Sequence, residues 1–228
     1  TATSGWNTNQ GFKPIGLLTY SSDGQALTGT AFTGSFDGLG HTIDALFIDR
    51  IDADTSPRVS TGLFGTVDGS TLKNITFTNV NITGGGDIYD ASYTLRGGTG
   101  ALVGHAINAT VSNVHLTGLA NTNLIRTAGM KNIGGLIGHY ETTANNSISD
   151  VSVNATITAG HASHSNNVEF IGGIIGSALA GENSSVFLTI DNATFNGSIN
   201  DITSNGMDKV GGVVGYGRHV NVKNSTVD

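Results

Sequence analysis

Leu72-Lys73-Asn74-Ile75-Thr76-Phe77 places apolar residues at its first, fourth and sixth positions. Side chains alternate along a flat strand, so its first and fourth residues face opposite sides. All three share one core only if the chain bends between them. The bend falls at Asn74, a residue type that tolerates left-handed backbone and bonds its own turn. The hexad recurs as Val111-Ser112-Asn113-Val114-His115-Leu116, Ile148-Ser149-Asp150-Val151-Ser152-Val153, Ile190-Asp191-Asn192-Ala193-Thr194-Phe195 and Val222-Lys223-Asn224-Ser225-Thr226-Val227. Asn113, Asp150, Asn192 and Asn224 therefore share the corner role of Asn74. An earlier, sixth copy is Ile43-Asp44-Ala45-Leu46-Phe47-Ile48, with Ala45 at its corner. Two short strands joined by a one-residue corner turn the coil of a solenoid.

Upstream of each of the five later hexads stands a glycine-flanked apolar cluster. The clusters are Gly62-Leu63-Phe64-Gly65, Gly100-Ala101-Leu102-Val103-Gly104, Gly134-Gly135-Leu136-Ile137-Gly138, Gly172-Gly173-Ile174-Ile175-Gly176 and Gly211-Gly212-Val213-Val214-Gly215. Their closing glycines follow one another at intervals of 39, 34, 38 and 39 residues. Such a period marks a repeat architecture. One repeat cannot bury its own apolar positions; stacking does, through parallel ladders between coils. Six coils spaced by about 4.8 Å make a stack of about 30 Å. Stacked corner amides are expected to bond to one another along the axis.

The sequence thus predicts an all-β parallel β-helix of about six coils, one domain over residues 1–228. It comprises an opening segment, 1–42, and the repeats, 43–228. Unequal stretches near 50–60, 84–99, 118–133, 159–169 and 200–209 read as long loops on one edge of the solenoid. The chain ends inside the sixth copy, and an uncapped solenoid end is an exposed sheet edge. It is therefore expected to be a fragment of a larger protein.

Composition agrees. There are 34 Gly, 2 Pro and no Cys among 228 residues, with 12% charged and 7% aromatic side chains. No Gly-X-Y period is present, and Val, Ile and Thr favour strands. A net charge of −7 argues against nucleic acid, which requires a basic stripe. No apolar run reaches the length of a membrane span. Absence of Cys suits a chain exported unfolded, which disulfides would hinder.

Thr3-Ser4-Gly5-Trp6-Asn7 with Gly11-Phe12-Lys13-Pro14-Ile15-Gly16, and the stretch Phe32 to Ile43, resemble the opening of the GLUG-repeat region. That region belongs to filamentous-haemagglutinin-like exoproteins of two-partner secretion systems. The Gly-Gly-Leu-Ile-Gly clusters match the motif that names the repeat, and the resemblance covers nearly the whole chain. Ala45, an insertion between Ser177 and Leu188, and the long loops depart from it. The resemblance implies a right-handed β-helix in a secreted or cell-surface bacterial adhesin. It also implies an outer-membrane secretion partner and a host-cell receptor protein or glycan as ligand. Similar repeats accompany some immunoglobulin-cleaving metalloproteases, so architecture does not fix role.

Tyr89, Tyr93, Arg96, Arg126, Met130, Lys131 and Tyr140 fall in or beside the loops. Tyr and Arg are typical contact residues, although these side chains would equally pack loops onto the solenoid flank. We take Tyr89, Tyr93, Arg96, Arg126, Lys131 and Tyr140 as the candidate binding residues. Of the Asn-X-Ser/Thr sequons, Asn145 and Asn183 are the candidate glycosylation sites, because corner Asn residues have a structural reason to be Asn. No His-Glu-X-X-His motif occurs. His161 and His164, the Asp52/Asp54 pair and the Asp87/Asp90 pair read as solvated loop residues, and the other histidines as scattered. Glu occurs only at Glu141, Glu169 and Glu182, outside the strand cores. No catalytic face, metal or cofactor is expected. The leading expectation is a non-enzymatic adhesive domain; the alternatives are a passive stalk or an accessory module of a secreted protease or carbohydrate-active enzyme.

Overall fold

The corner residues take the backbone that the hexads require. In the computed structural model Asn74, Asn113, Asp150, Asn192 and Asn224 have φ of 56°, 52°, 54°, 54° and 47°. The structure describes residues 3–20, 27–50, 58–85, 97–127, 132–160, 170–181, 185–202 and 209–228. Because each corner inverts the side-chain parity, Leu72, Ile75 and Phe77 all point inward and are at most 1% exposed.

Three parallel sheets enclose the core. In the long sheet the hexads stack in register, so that Phe36, Leu72, Val111, Ile148, Ile190 and Val222 form one rung. Ile48, Ile82, Ile125, Ile157 and Ile199 form another on its second leg. The arch sheet comprises Phe64–Asp68, Val103–Ile107, Ile137–Thr142, Ile175–Ala180 and Val214–Arg218, each paired with the next in sequence. The short sheet comprises Asn132–Gly134, Phe170–Gly172 and Lys209–Gly211. The glycine clusters are tight arches joining the short sheet to the arch sheet. From Gly104 onward their closing glycines lie directly on the backbone of the preceding coil.

The corner amides form the expected ladder, in segments. Asn113 Nδ2 donates to Asn74 Oδ1, and Asn74 Nδ2 to Asp37 Oδ1, both at 2.8 Å. Asn192 Nδ2 donates to Asp150 Oδ1 at 2.8 Å. Asn224 Nδ2 reaches Asp191 Oδ1, one residue short of the corner, also at 2.8 Å. Asp150 has no side-chain amide N–H, so it cannot pass the ladder on to Asn113 as an Asn would. His115 fills that gap: its Nε2–H donates to Asn113 Oδ1 at 2.8 Å while its Nδ1 meets Ser152 Oγ at 2.9 Å. Replacing Asn113 with Ala forces a Cβ-bearing residue without side-chain compensation into left-handed backbone and removes the amide bonds. A loss of about 2 kcal/mol is expected by urea denaturation, about half of it recovered by N113G. Equal losses for the two variants would refute the backbone part of the account.

The first coil departs from the sequence reading. Asp44 pairs with Thr78, so Ala45, at φ 56°, lies level with Asn79 at φ 53° and not with Asn74. These two residues mark a second corner in the first two coils. The first corner of coil one is built from Asp37-Gly38-Leu39-Gly40, with Leu39 at φ 53° and Gly40 at 76°. Asp37 pairs with Lys73, so Gly38, Leu39 and Gly40 do there what Asn74 does alone. Asn74's amide, the Leu39 N–H and Lys73 hold the Asp37 carboxyl below its ordinary pKa. The opening segment therefore runs into the solenoid: Phe32 bridges Val67, and Ser35–Asp37 and Thr42–Asp44 are already rungs of the long sheet.

Gly11 bridges Ile48 and Ile15 bridges Phe64, so the residues around them lie against the start of the stack. Arg50, 6% exposed, clamps them: Nη1 donates to Gln10 Oε1 at 2.9 Å and Nη2 to the Phe12 carbonyl at 2.9 Å. Phe12 packs on the core, whereas Trp6 is 55% exposed. Leu18–Tyr20, Leu27–Gly29 and Arg58–Val59 form a small antiparallel sheet beside the solenoid, which hydrophobic periodicity did not announce.

Candidate functional site

Two places repeat from coil to coil. The first is the corner between the second leg of the long sheet and the short sheet. Asp49, Thr83, Arg126, Thr158 and Asn200 are in register where the chain leaves the long sheet. Thr61, Thr99, Ile133, Ile171 and Val210 are in register where it resumes. Residues 51–57, 86–96, 128–131, 161–169 and 203–208 span these two ladders and lie outside the described residues. In five successive coils a stretch of unequal length thus joins the same two ladders. The stretch 118–133, expected to be loop throughout, contains a 3-10 turn at Ala120–Thr122 and strands at Leu124–Thr127 and Asn132–Gly134; 128–131 lie outside the described residues.

The candidate contact residues separate accordingly. Tyr89, Tyr93, Arg96 and Lys131 lie outside the described residues, as do Met130, Asn183, His161, His164 and the Asp52/Asp54 and Asp87/Asp90 pairs. Arg126 is not a loop residue but sits half-buried in a strand, its Nη2 donating to Asn81 Oδ1 at 2.5 Å. Tyr140 is fully buried, which corrects its placement on the loop edge. Its rung reads Val67, Ala106, Tyr140, Ala178 and Gly217. The small residues on either side leave room for the ring, and Oη donates to the Ala109 carbonyl. Burial raises the Tyr140 pKa well above its ordinary value, so the hydroxyl stays protonated. Asn145 is exposed in the turn after the arch sheet, its Oδ1 accepting from Phe187 N at 2.9 Å. Corner amides at Asn74, Asn192 and Asn224 instead spend their Nδ2 on the ladder.

The second place is the rung next to that of Tyr140. It reads Thr66, His105, His139, Ser177 and Tyr216. The first four are at most 5% exposed. The two imidazoles lie 5.1 Å apart between centroids, inclined by 33°. His105 Nε2 meets Glu141 Oε1 at 2.9 Å. On the other side Asn132 Nδ2 donates to the Gly97 carbonyl at 2.7 Å, which turns Oδ1 toward Ser177. Ser177 Oγ donates to that oxygen at 2.7 Å and so accepts from His139 Nδ1, 2.6 Å away. Read residue by residue the histidines are scattered. Aligned on the glycine that closes each arch, they are adjacent: Gly104-His105 and Gly138-His139.

At the C-terminal end of the same sheets Phe170 and Tyr216 stack at 5.0 Å, and Lys209 Nζ lies 4.8 Å from the Phe170 ring centroid. Among the described residues no helix is long and apolar enough to cross a membrane.

No protein-family model matches the chain, and no solved structure does. The chain is similar to Halomucin of Haloquadratum walsbyi, 37% identical over 157 residues. The match covers 68% of this chain and 1% of Halomucin, which is therefore a far longer protein.

Proposed function

We propose that the chain is a non-enzymatic repeat domain of a secreted or cell-surface protein, whose coils hold a row of inserted segments in contact with a host-cell receptor protein or glycan. The observation that carries the reading is the shared insertion corner. Five segments of unlike sequence each join the same two ladders, Asp49 to Asn200 and Thr61 to Val210. Surface segments positioned by a rigid scaffold are where recognition concentrates. Similarity to a short stretch of a very long protein named as a mucin supports a repeat segment displayed outside the cell. The GLUG-like clusters support export with an outer-membrane secretion partner, and exposed Asn145 supports glycosylation. The scarcity of Glu and the lack of a His-Glu-X-X-His motif support a role without catalysis.

A passive stalk is the second reading. It is favoured by Arg126 and Tyr140, two candidate contact residues that the coil itself engages. Binding of the purified chain to host cells and to a glycan array separates the two, run beside a variant with 86–96 and 128–131 replaced by short turns. Saturable binding that trimming reduces at least about tenfold supports contact through the insertions. A folded chain that binds nothing supports the stalk.

A further inference from the structure

We propose that His105, His139 and Glu141 form a binding site for a divalent transition metal of the zinc class, clipping the third coil to the fourth. One ligand atom from each residue lies within 4.8 Å of the others. A zinc ion with arms of about 2.1 Å spaces tetrahedral ligands about 3.4 Å apart, within reach of a small movement. His105 Nε2 and Glu141 Oε1 are hydrogen-bonded to one another at 2.9 Å, and parting them by about 0.5 Å gives the spacing of two ligands on one ion. The Glu141 side chain is 31% exposed and has room to adjust, whereas both imidazoles are held in the stack.

The surroundings of His139 point the same way. Asn132, fixed by the Gly97 carbonyl, orients Ser177, and Ser177 accepts the Nδ1 proton of His139. In the neutral ring Nε2 then carries the lone pair. A ligating histidine has this arrangement, its second nitrogen donating to an oriented oxygen that fixes tautomer and ring plane. Two imidazoles and one carboxylate suit zinc, nickel, cobalt or iron. They do not suit calcium or magnesium, which take oxygen ligands. Three protein ligands leave a fourth position for water, reached from the Glu141 side. The bland alternative is a His105–Glu141 ion pair with no ion.

The site spans two coils. His105 lies on the strand Val103–Ile107 and the other two ligands on Ile137–Thr142. An ion held there ties adjacent coils together and stabilises the folded chain only, since the unfolded chain has no such arrangement.

The test uses the whole 228-residue chain, stripped with EDTA and titrated with zinc chloride by calorimetry, with calcium and magnesium as controls. Cobalt(II) in place of zinc reports coordination through its visible bands. The expected result is one equivalent of zinc, tetrahedral-type cobalt bands, and a melting midpoint raised by about 5 °C at a hundredfold excess over Kd. E141Q and H105Q should each weaken binding at least about tenfold, and S177A, which acts through His139, by about tenfold. The double variant H161Q/H164Q should bind as wild type. E141Q decides the matter if H105Q fails to fold, because its side chain is partly exposed and unchanged in shape; circular dichroism in EDTA checks both. The proposal is overturned if the folded chain takes up no zinc, if E141Q binds as wild type, or if binding disappears in H161Q/H164Q.

Discussion

Gly138→Ala is expected to destabilise the stack by about 3 kcal/mol or more. A Cβ at Gly138 would lie 2.4 Å from Thr99 N and 2.5 Å from Gly98 C. Those atoms are backbone of the preceding coil, held by the ladder that pairs Thr99 with Ile133. No side chain can rotate away, so relief requires the arch to lift off its neighbour. Gly138 is also internal, with coils packed on both sides, so the displacement is felt in two interfaces. Gly104, whose Cβ would lie 2.3 Å from Thr61 N, should behave alike. Gly5→Ala is the control: nothing lies within 4 Å of its Cβ, and a change within about 0.5 kcal/mol is expected. Urea denaturation of the three proteins measures this. Equal midpoints for Gly138→Ala and wild type would show that the arches are not in backbone contact.

Tyr140→Ala comes next, with an expected loss of about 3–5 kcal/mol. The ring fills a rung whose neighbours are Ala106 and Ala178, neither of which can expand into the space left behind. Tyr140→Phe keeps the ring but leaves the buried Ala109 carbonyl without its hydroxyl donor, at about 1–2 kcal/mol. The pair separates packing from hydrogen bonding by the same denaturation measurement. It also separates core from contact surface: if Tyr140→Phe and Tyr140→Ala leave stability unchanged but reduce cell or glycan binding, the burial described here is wrong.

The parts of the fold that could be read from sequence are those where geometry restricts residue choice. A left-handed corner selects Asn or Asp, and a parity break in apolar spacing locates it, so Asn74, Asn113, Asp150, Asn192 and Asn224 stood out. Backbone contact selects glycine, so the arches stood out as well. Coil one was misread because Asp37-Gly38-Leu39-Gly40 replaces the single corner residue, which dissolves the hexad. Ile43 to Ile48, by contrast, reproduces its spacing around the second corner. The antiparallel strands from Leu18 to Val59 are two or three residues long, too short for a period to register. The histidine rung and Tyr140 were missed for another reason. Their partners are 34 to 39 residues away, one coil in either direction, and only alignment on the closing glycines makes them neighbours. Arg126 looked like a loop residue because Gly118 to Asn123 interrupts the coil just before its strand.

The shared insertion corner has a consequence for how such a chain can vary. Successive coils differ by up to five residues between Phe64, Val103, Ile137, Ile175 and Val214, yet those residues remain in register. The slack is taken up off the ladders, between the legs of the long sheet at Gly118 to Asn123, before Leu188, and between the Asp49–Asn200 and Thr61–Val210 ladders. Length can thus change from one turn to the next without disturbing the pairings on either side, and the framework does not have to be solved again each time a connection is exchanged.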